Sequence, residues 1–397
     1  MPGLLLIYQF VVLAGLVLSL AMVIANLSCF DALRPSPPPL AENAPRISVL
    51  VPARNEALNI GLCVSSLLSQ DYPNLELIVL DDNSEDETLK MIQDLGLAET
   101  STQHRLLRGA PLPAGWTGKN WACHQLAQAA TGDFLFFTDA DTCHAPGTVT
   151  ASLSYAERKR ADLLSAWPRL LSVTWGERLI IPMILFFGMV LYPHWLLRSL
   201  QAHPERAAGL PATLLRGLGA ANGQFMFFRR AAYERIGGHA ALRDHLVEDV
   251  GLGRAVASRL REGMRLFNCD SLGFSTTRMY RSFPEVWEGF TKNMRAAFED
   301  SLVSFLMLGA IHVCGFLLPF AFLACGGAAA RIAAAQLVVV LLIRIILTLR
   351  FRTSWWSAIC HPLSEILMLA IGLNSWRRLA SEGVTWKGRT YQAAEKG

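Results

Sequence analysis

The amino-acid sequence predicts an α/β domain, with a mostly parallel sheet and helices on both faces, joined to N-terminal and C-terminal transmembrane helices. Three observations support this fold class. Strand-like and helix-like patterns alternate over residues 46–170, long apolar runs lie near both ends, and 52% of the 397 residues are hydrophobic while only 17% are charged. Soluble proteins usually have about a quarter of their residues charged. The composition therefore argues against an ordinary soluble enzyme and against an intrinsically disordered chain.

The charged residues and cysteines indicate the compartment and exclude one class of partner. The net charge is only +4 and the basic residues are dispersed, whereas a dedicated nucleic-acid binder concentrates them on one face. We therefore expect no nucleic-acid partner. The eight cysteines form no CxxC pair, which fits a reducing compartment better than a zinc site or a disulfide framework.

The first apolar run, residues 4–24, is about as long as a helix that crosses the hydrocarbon core. It lacks the basic start and the cleavage site of a signal peptide, so residues 1–30 are predicted to form a retained transmembrane helix. The proline-rich residues 31–45 predict a stiff linker. Because Arg34 and Arg46 follow the helix, the positive-inside rule places the next domain, residues 46–300, in the cytosol.

Residues 301–375 predict a membrane hairpin followed by a further segment. The apolar runs 301–325 and 332–349 form the hairpin, with a tight turn at Gly326 and Gly327. The run 356–373 has basic residues on both flanks, which favours a re-entrant or in-plane segment over a third spanning helix. Residues 376–397 are predicted to be a basic cytosolic tail. The protein is therefore expected to be a multi-pass protein of the cell inner (plasma) membrane.

Two further features concern the bilayer. The apolar stretch at about 175–198 is interrupted by Pro182, Pro193 and His194, so we interpret it as interfacial helices where an apolar acceptor could enter. Arg344 lies inside the predicted hairpin. An arginine that snorkels to the interface is the favoured interpretation, and a charge that marks a transport path is the alternative.

The alternating region predicts a series of strand–helix units. Strands are predicted at residues 47–51, 75–80, 104–107 and 134–138, and helices at 56–70, 85–95 and 119–130. Asn83 or Ser84 is expected to cap the second of these helices. Since strands and helices alternate, most of the sheet should be parallel.

Polar residues follow three of the predicted strands, at the sheet edge where ligands of such folds bind. They are Arg54 and Glu56, Asp81 and Asp82, and Asp139 and Asp141. A single strand that ends in acids is often just a solvated turn, but three in succession favour a site. The Asp-x-Asp pair offers the hard oxygen ligands that suit Mg²⁺ or Mn²⁺ bridging a diphosphate.

Two other candidate groups lie outside the strand ends. The chain contains no complete phosphate-binding Gly-x-x-x-x-Gly-Lys motif, but Lys119 of the Gly118-Lys119 pair could contact a phosphate. Glu248 and Asp249 start a predicted helix, where acids also favourably meet the helix dipole. The alternative is that one of these carboxylates is a catalytic base that removes a proton from an acceptor hydroxyl.

Four motifs follow one another along the domain: Val51-Pro52-Ala53-Arg54-Asn55-Glu56, Asp81-Asp82-Asn83-Ser84, Asp139-Ala140-Asp141 and Glu248-Asp249. Together they resemble the ordered motifs of family 2 glycosyltransferases with the GT-A fold, the nucleotide-diphospho-sugar transferase fold. The resemblance covers roughly residues 46–300. The terminal apolar helices are similar to those of the membrane-bound branch.

The resemblance implies a role for each motif. The residues that it places around the nucleotide are Pro52, Arg54, Glu56, Asp81 and Asp82. It implies that Asp139 and Asp141 bind the metal, Mg²⁺ or Mn²⁺, and that Asp139 also contacts the diphosphate of the donor. Asp249 is implied to be the catalytic base, with Glu248 as the alternative. Lys119 is added as a phosphate contact.

Finer motifs indicate the acceptor. Gly115-Trp116-Thr117-Gly118-Lys119-Asn120, Gly223-Gln224-Phe225 and Trp386-Lys387-Gly388-Arg389 resemble carotenoid (chlorobactene-type) and hopanoid-associated glycosyltransferases. The segment from Arg278 to Ser282 resembles the family's Gln/Arg-x-x-Arg-Trp motif, with serine in place of tryptophan. Arg278 and Arg281 are expected to pair with the diphosphate. The missing tryptophan argues against chain polymerisation.

The sequence thus predicts an inverting, metal-dependent enzyme that moves one hexose from a nucleotide sugar, with UDP-glucose as the specific expectation. The acceptor would be a hydroxyl of a membrane lipid such as a carotenoid or another isoprenoid. Two alternatives stay open. One is a processive polysaccharide synthase, and the other is a membrane scaffold that has lost activity.

Overall fold

The computed structural model describes residues 2–381 and 384–391. Residues 382–383 and 392–397, which belong to the predicted tail, lie outside the described residues. The chain divides into two compact units. We call Phe30–Arg169 with His194–Met279 the sheet unit, and Met1–Cys29 with Leu170–Pro193 and Tyr280–Gly397 the helical unit.

The strands follow one another in this order: β1 (Ile47–Ala53), β2 (Leu75–Asp81), β3 (His104–Arg108), β4 (Phe134–Phe137), β5 (Thr142–His144), β6 (Leu163–Trp167), β7 (Arg169–Leu170), β8 (Met226–Arg229), β9 (Leu266–Asp270), β10 (Ser275–Thr277), β11 (Val384–Trp386) and β12 (Arg389–Tyr391). Seven of them form one sheet in the order β3-β2-β1-β4-β8-β6-β9. Only β8 runs antiparallel to its neighbours, β4 and β6. The predicted mostly parallel sheet is therefore confirmed.

The α-helices, in chain order, are α1 (Pro2–Cys29), α2 (Ile60–Leu68), α3 (Thr88–Asp94), α4 (Gly118–Ala129), α5 (Thr148–Lys159), α6 (Trp175–Ile180), α7 (Pro182–Leu191), α8 (His194–Ala202), α9 (Ala212–Gly217), α10 (Arg230–Arg235), α11 (Glu248–Ser258), α12 (Phe283–Ala297), α13 (Leu302–His312), α14 (Leu318–Phe322), α15 (Gly327–Phe351), α16 (Trp355–Ile359) and α17 (His361–Ser381). A π-helical segment, Val313–Leu317, connects α13 to α14.

The core of the sheet unit lies on both faces of the large sheet, because successive side chains of a strand point to opposite faces. On β1, Val49 and Val51 belong to one buried cluster, which includes Leu67 of α2. Leu50 belongs to a second cluster, which includes Leu126 of α4. The expectation of helices on both faces is confirmed.

Two predicted helices begin later than expected, since the residues before them lock two loops together. Asn55 and Asn83 have left-handed backbone angles, with φ of 52° and 56°. The Oδ1 atom of Asn55 accepts a hydrogen bond from the Glu85 amide at 2.8 Å. The backbone amide of Asn55 donates to Ser84 Oγ at 3.0 Å. The N-cap of α3 is Glu87, so the prediction that Asn83 or Ser84 caps this helix was wrong.

The start of the predicted linker, residues 31–45, is attached to the sheet. The Asp270 amide donates to the Asp31 carbonyl and the Leu33 amide donates to the Asp270 carbonyl, both at 2.8 Å. The Asp31 carboxylate pairs with Lys159 at 3.0 Å and with Arg198 at 3.2 Å. The first residues after α1 therefore extend the edge of the sheet beside β9.

Three helical segments are long and apolar enough to cross a membrane: Gly3–Cys29, Leu302–Cys325 and Gly327–Phe351. They coincide with the three predicted apolar runs. A fourth candidate is the broken pair Trp175–Leu191 and His194–Ala202, which contains the stretch predicted to be interfacial. Residues 356–373 fall in α16 and α17, and their arrangement relative to a bilayer stays a prediction.

Arg344 is buried inside the helical unit, where it is 2% exposed. Its guanidinium donates to Ser357 Oγ and to Met183 Sδ at 3.3 Å, and it lies 5.1 Å from the ring centroid of Phe186. The snorkelling interpretation was therefore wrong. Neighbouring segments offer this side chain polar and aromatic partners, so it does not need to reach the interface.

Candidate active site

The register of the sheet brings three predicted motifs to one edge. Strands β1 and β2 are parallel and in register, with Ala53 opposite Asp81. Strand β4 is parallel to β1 on its other side and ends with Phe137 opposite Leu50. The residues that follow these three strands therefore lie at the same edge of the sheet, as predicted.

Lys119 joins two motifs that are far apart in the sequence. Its Nζ atom lies 2.7 Å from Asp139 Oδ1 and 2.8 Å from Glu248 Oε1. Burial alone would lower the pKa of Lys119, but Asp139 and then Glu248 raise it well above its usual value. The ammonium group therefore stays charged between the two carboxylates.

The first turn of α4 also holds the segment that leads into Glu248. The Thr117 amide donates to the Arg243 carbonyl at 2.7 Å. The Asn120 side chain, which is fully buried, donates to the His245 carbonyl at 2.9 Å. These hydrogen bonds position the start of α11 beside Lys119.

Asp249 is held by backbone groups rather than by a salt bridge. Its Oδ2 atom accepts from the Gly223 amide and its Oδ1 atom from the Val250 amide, both at 2.8 Å. Burial, and then the neighbouring Glu248, raise the pKa of Asp249 to about 6, whereas Lys119 and the two amides act in the opposite direction. A carboxylate with a pKa near neutral is suited to accept a proton.

Asp141 lies in the most acidic part of the site. Its Oδ1 atom accepts from Thr142 Oγ1 at 3.2 Å. Burial first, and then Asp139 and Glu56, raise the pKa of Asp141 to about 7. Several carboxylates at a buried edge repel one another when they are ionised, so the site favours a bound cation.

The residues fit a metal that is shared with a substrate. Within residues 2–381 and 384–391, no three His, Cys, Asp or Glu side chains converge to form a complete metal site. Asp139 and Asp141 supply hard oxygen atoms. Mg²⁺ and similar ions are commonly held by one or two carboxylates while phosphates and water complete the shell. This donor set suits such an ion.

The first two motifs form one interlocked surface. Arg54 donates to the carbonyls of Asp82 at 2.7 Å and Asn83 at 2.6 Å, and to Glu85 at 3.0 Å. The Oδ1 atom of Asp81 is buried and accepts no hydrogen bond from any described residue. Such an acceptor is costly unless a ligand donates to it.

The remaining nucleotide-site candidates have simpler surroundings. Pro52 lies within β1, opposite Leu80 of β2. The Glu56 carboxylate accepts from the Asn59 side chain at 2.9 Å. Asp82 is buried, and its amide donates to the Ala53 carbonyl at 2.8 Å. The roles of these residues toward a nucleotide stay predictions.

The two predicted diphosphate-binding arginines belong to different units. Arg278 directly follows β10 in the sheet unit, and Arg281 belongs to the helical unit. The Arg281 amide donates to Glu285 at 2.9 Å. Ser282 caps α12 by accepting from the Glu285 amide at 3.4 Å. A tryptophan side chain could not accept this bond, so the departure from the family motif has a local structural reason.

Sequence reasoning missed the backbone group that binds Asp249. A Cβ atom added to Gly223 would lie 3.1 Å from Lys119 Nζ and 3.3 Å from Asp249 Oδ2. Glycine therefore allows this backbone to approach both side chains. The only signal in the sequence was the Gly223-Gln224-Phe225 motif, whose resemblance indicated an acceptor class but no contact.

Comparisons with known proteins find glycosyltransferases among the relatives of this chain. Residues 48–236 match the model of the family described as Glycosyl transferase family 2, and residues 202–397 match that of Glycosyl transferase family 21. The chain is 23% identical over 365 residues to the 4,4'-diaponeurosporenoate glycosyltransferase of Staphylococcus aureus (strain USA300), with 89% of this chain and 90% of the relative covered.

A solved structure with a TM-score above 0.5 shows the same fold. The chain is similar to the mannosyltransferase PcManGT of Pyrobaculum calidifontis, with a TM-score of 0.52 and 18% identity, over 94% of this chain and 98% of that chain. A glucosyl-3-phosphoglycerate synthase of Mycobacterium tuberculosis matches less closely, with a TM-score of 0.40 and 19% identity over 67% of this chain and 87% of that chain. The expected likeness to GT-A enzymes and to a carotenoid glycosyltransferase is confirmed, and the hopanoid likeness stays a prediction.

Proposed function

We propose that this protein, a glycosyltransferase whose residues 48–236 match the family 2 model, transfers one hexose from a nucleotide sugar to a hydroxyl of a membrane lipid. The reaction inverts the anomeric centre and depends on Mg²⁺ or Mn²⁺. UDP-glucose is the proposed donor, and a carotenoid or another isoprenoid is the proposed acceptor.

One observation carries this proposal. Lys119 contacts both Asp139 of the Asp-x-Asp motif and Glu248, whose neighbour Asp249 has a pKa near neutral. The acidic pair that contains the proposed base and the motif suited to hold a metal diphosphate thus meet at a single cation. A direct displacement at a sugar carbon uses both a base for the acceptor hydroxyl and stabilisation of the leaving group.

In the proposed reaction, Asp249 accepts the proton of the acceptor hydroxyl. The acceptor oxygen forms a bond to the anomeric carbon on the face opposite the diphosphate. The bond from that carbon to the diphosphate oxygen breaks, and the nucleoside diphosphate leaves with the electron pair. Asp139 and Asp141 would hold the divalent ion, which when bound neutralises charge on the leaving group.

The surroundings of the two acidic residues favour Asp249 as the base. Glu248 is almost fully buried, and its carboxylate is engaged by Lys119 at 2.8 Å. Asp249 makes no salt bridge that the structure records, and burial raises its pKa to about 6. Glu248 stays the alternative base.

The presence of a suitable base favours a hydroxyl acceptor. The S. aureus relative is named for a carboxylate, 4,4'-diaponeurosporenoate. An acceptor carboxylate is already ionised and needs no base, whereas a hydroxyl has to lose its proton. Burial and the neighbouring Glu248 raise the pKa of Asp249 to about 6, which suits this group to accept that proton.

The helical unit supports a membrane location. Three of its segments could span a bilayer. Trp175 of α6 and Trp355 and Trp356 of α16 are 59%, 50% and 57% exposed, and exposed tryptophans are typical of the membrane–water interface. Arg350 and Arg352 lie at the end of α15, which by the positive-inside rule supports a cytosolic catalytic domain at the inner membrane.

The test uses the full chain in nanodiscs with Mn²⁺ or Mg²⁺. UDP-glucose, other UDP-hexoses and GDP-mannose serve as donors, the last because PcManGT was solved with GDP-mannose and Mn²⁺. A hydroxylated carotenoid, the matching carotenoid carboxylic acid and a total lipid extract serve as acceptors. Mass spectrometry should detect one added hexose on the hydroxylated lipid, and Asp141→Asn should abolish it.

Other outcomes would replace the proposal. Glycosylation of only the carboxylic acid would overturn the acceptor assignment. A growing oligosaccharide would favour a processive polysaccharide synthase. If neither a product nor metal-dependent binding of any donor were found, the inactive scaffold would be the better description.

A further inference from the structure

The turn formed by Asn222, Gly223 and Gln224, which we call the 222–224 turn, lies between the two halves of the candidate site. It follows α9 and leads into β8. Its Gly223 amide donates to Asp249 Oδ2 at 2.8 Å. The position of the proposed base therefore depends on where this turn is held.

Buried hydroxyl groups hold the turn at its two ends. The Asn222 amide donates to Ser165 Oγ at 2.8 Å. The carbonyl of Gln224 accepts from Thr138 Oγ1, also at 2.8 Å. Ser165 and Thr138 are at most 1% exposed, so two interior hydroxyl groups fix the backbone on both sides of Gly223.

The side chain of Gln224 extends this connection to the metal-binding motif. Its Nε2 atom donates to Thr277 Oγ1 at 3.4 Å, and the Thr277 hydroxyl donates to the Asp141 carbonyl at 3.3 Å. Gln224 is 5% exposed and Thr277 is 1% exposed. Together with the covalent structure of Gln224 and Gly223, these hydrogen bonds connect the backbone of Asp141 to the carboxylate of Asp249.

We infer that Gln224 and Thr277 are positioning residues that set the separation between the proposed base, Asp249, and the proposed metal-binding Asp141. The inference rests on the proposed function, because it concerns the geometry of that reaction. Neither side chain touches the substrate in this role. Thr277 holds the backbone of Asp141, and Gln224 holds the turn whose amide binds Asp249.

The physical reason for such a device is the distance that the reaction must control. The acceptor oxygen has to meet the anomeric carbon while the base is in contact with the acceptor and the diphosphate is in contact with the metal. Misplacement of about 1 Å can reduce the rate about 100-fold. Asp141 and Asp249 lie on different elements, so a direct connection between them limits this error.

The test compares Thr277→Val and Gln224→Leu, which keep the approximate shape of each side chain and remove its hydrogen bonds. We expect each to lower kcat about 10- to 100-fold, with the KM for the nucleotide sugar within about twofold of wild type. The double variant should be no slower than the slower single variant, because both break one connection. Thr277→Ser, which retains the hydroxyl, should restore most of kcat.

Thr150→Val is the matched control, since Thr150 is also a buried threonine, 2% exposed, that donates to Asp71 at 3.2 Å. It should leave kcat within about twofold of wild type. The melting temperatures of all variants are measured, so that a loss of folded protein is separated from a loss of rate. Unchanged kcat in Thr277→Val and Gln224→Leu would overturn the inference.

Hydrogen–deuterium exchange provides a readout that does not depend on activity. Peptides that contain the Gly223 amide should exchange faster in Gln224→Leu than in wild type or Thr150→Val, because this amide is less firmly held against Asp249. If the Gly223 amide exchanges faster in Gln224→Leu but the wild-type protein shows no transferase activity, the connection exists and the proposed function fails. Unchanged exchange would show that Gln224 does not hold the turn and would overturn the inference.

Discussion

Lys119 and Glu248 form an ion pair, with Nζ of the lysine 2.8 Å from Oε1 of the glutamate. The same ammonium lies 2.7 Å from Asp139. A single positive charge therefore balances acids from two motifs that lie more than a hundred residues apart in the sequence. The loss of this ammonium group should therefore disturb both motifs.

Replacement of Lys119 by methionine should nearly abolish activity. The change keeps the length of the side chain but leaves Asp139 and Glu248 without their shared cation, so carboxylates of both motifs lose their charge balance. We expect kcat/KM to fall about 100-fold or more in the nanodisc transfer assay. Lys90→Met, which removes an exposed lysine paired with Glu87 at 3.8 Å, should leave it unchanged.

Neutral variants of the two candidate bases, Asp249 and Glu248, should differ in kcat. Asp249→Asn should lower kcat about 1,000-fold while nucleotide-sugar binding persists, because general-base catalysis contributes about 100- to 10,000-fold. Glu248→Gln should have a smaller effect on kcat, since its carboxylate is paired with Lys119. Both variants are compared by their single-turnover rates and their affinities for the donor. The opposite ranking would make Glu248 the base.

The acid side of the pH profile should report the ionisation of Asp249. The pKa of this group is raised to about 6 by burial and by Glu248, and the base must be ionised to accept a proton. We therefore expect kcat/KM to fall tenfold per pH unit below about pH 6 and to level off above it. In a residually active Lys119→Arg variant the inflection should stay near this value because the charge is retained.

Restoration of activity by added metal should distinguish a variant of Asp141 from a variant of an aspartate outside the site. Chelation with EDTA should abolish transfer, and Mn²⁺ or Mg²⁺ should restore it in wild type but not in Asp141→Asn. Asp133→Asn is the control, because Asp133 lies at the opposite end of β4, where it accepts from the Arg46 amide at 2.9 Å. Full activity after exhaustive chelation would contradict the metal dependence.

Arg344→Met should destabilise the helical unit. It removes the hydrogen bond to Ser357 Oγ and the contact with Phe186, and a buried hydrogen bond from a charged group contributes about 2 kcal/mol. Thermal unfolding in detergent should show a midpoint several degrees lower. Arg331→Met, a change at an exposed position of the same helix, should have little effect. Equal midpoints for the two variants would contradict the structural role of Arg344.

The sequence by itself determined the strands and helices of the fold and the kinds of side chain that lie at the candidate site. The alternating strands and helices of the domain, the three apolar segments and the placement of Asp81, Asp139 and Asp141 at strand ends were all predicted correctly. These features depend on residues that are near one another in the chain. Their periodicity and length are therefore visible without a structure.

Tertiary structure alone decided which of those groups meet. The contact of Lys119 with Glu248, the binding of Asp249 by the Gly223 amide and the burial of Arg344 each join segments that are remote in the sequence. Helix starts were also missed where Asn55 and Ser84 lock two loops together. No local pattern encodes such contacts, because they arise only when the sheet and the helices pack and bring distant backbone and side-chain groups into register.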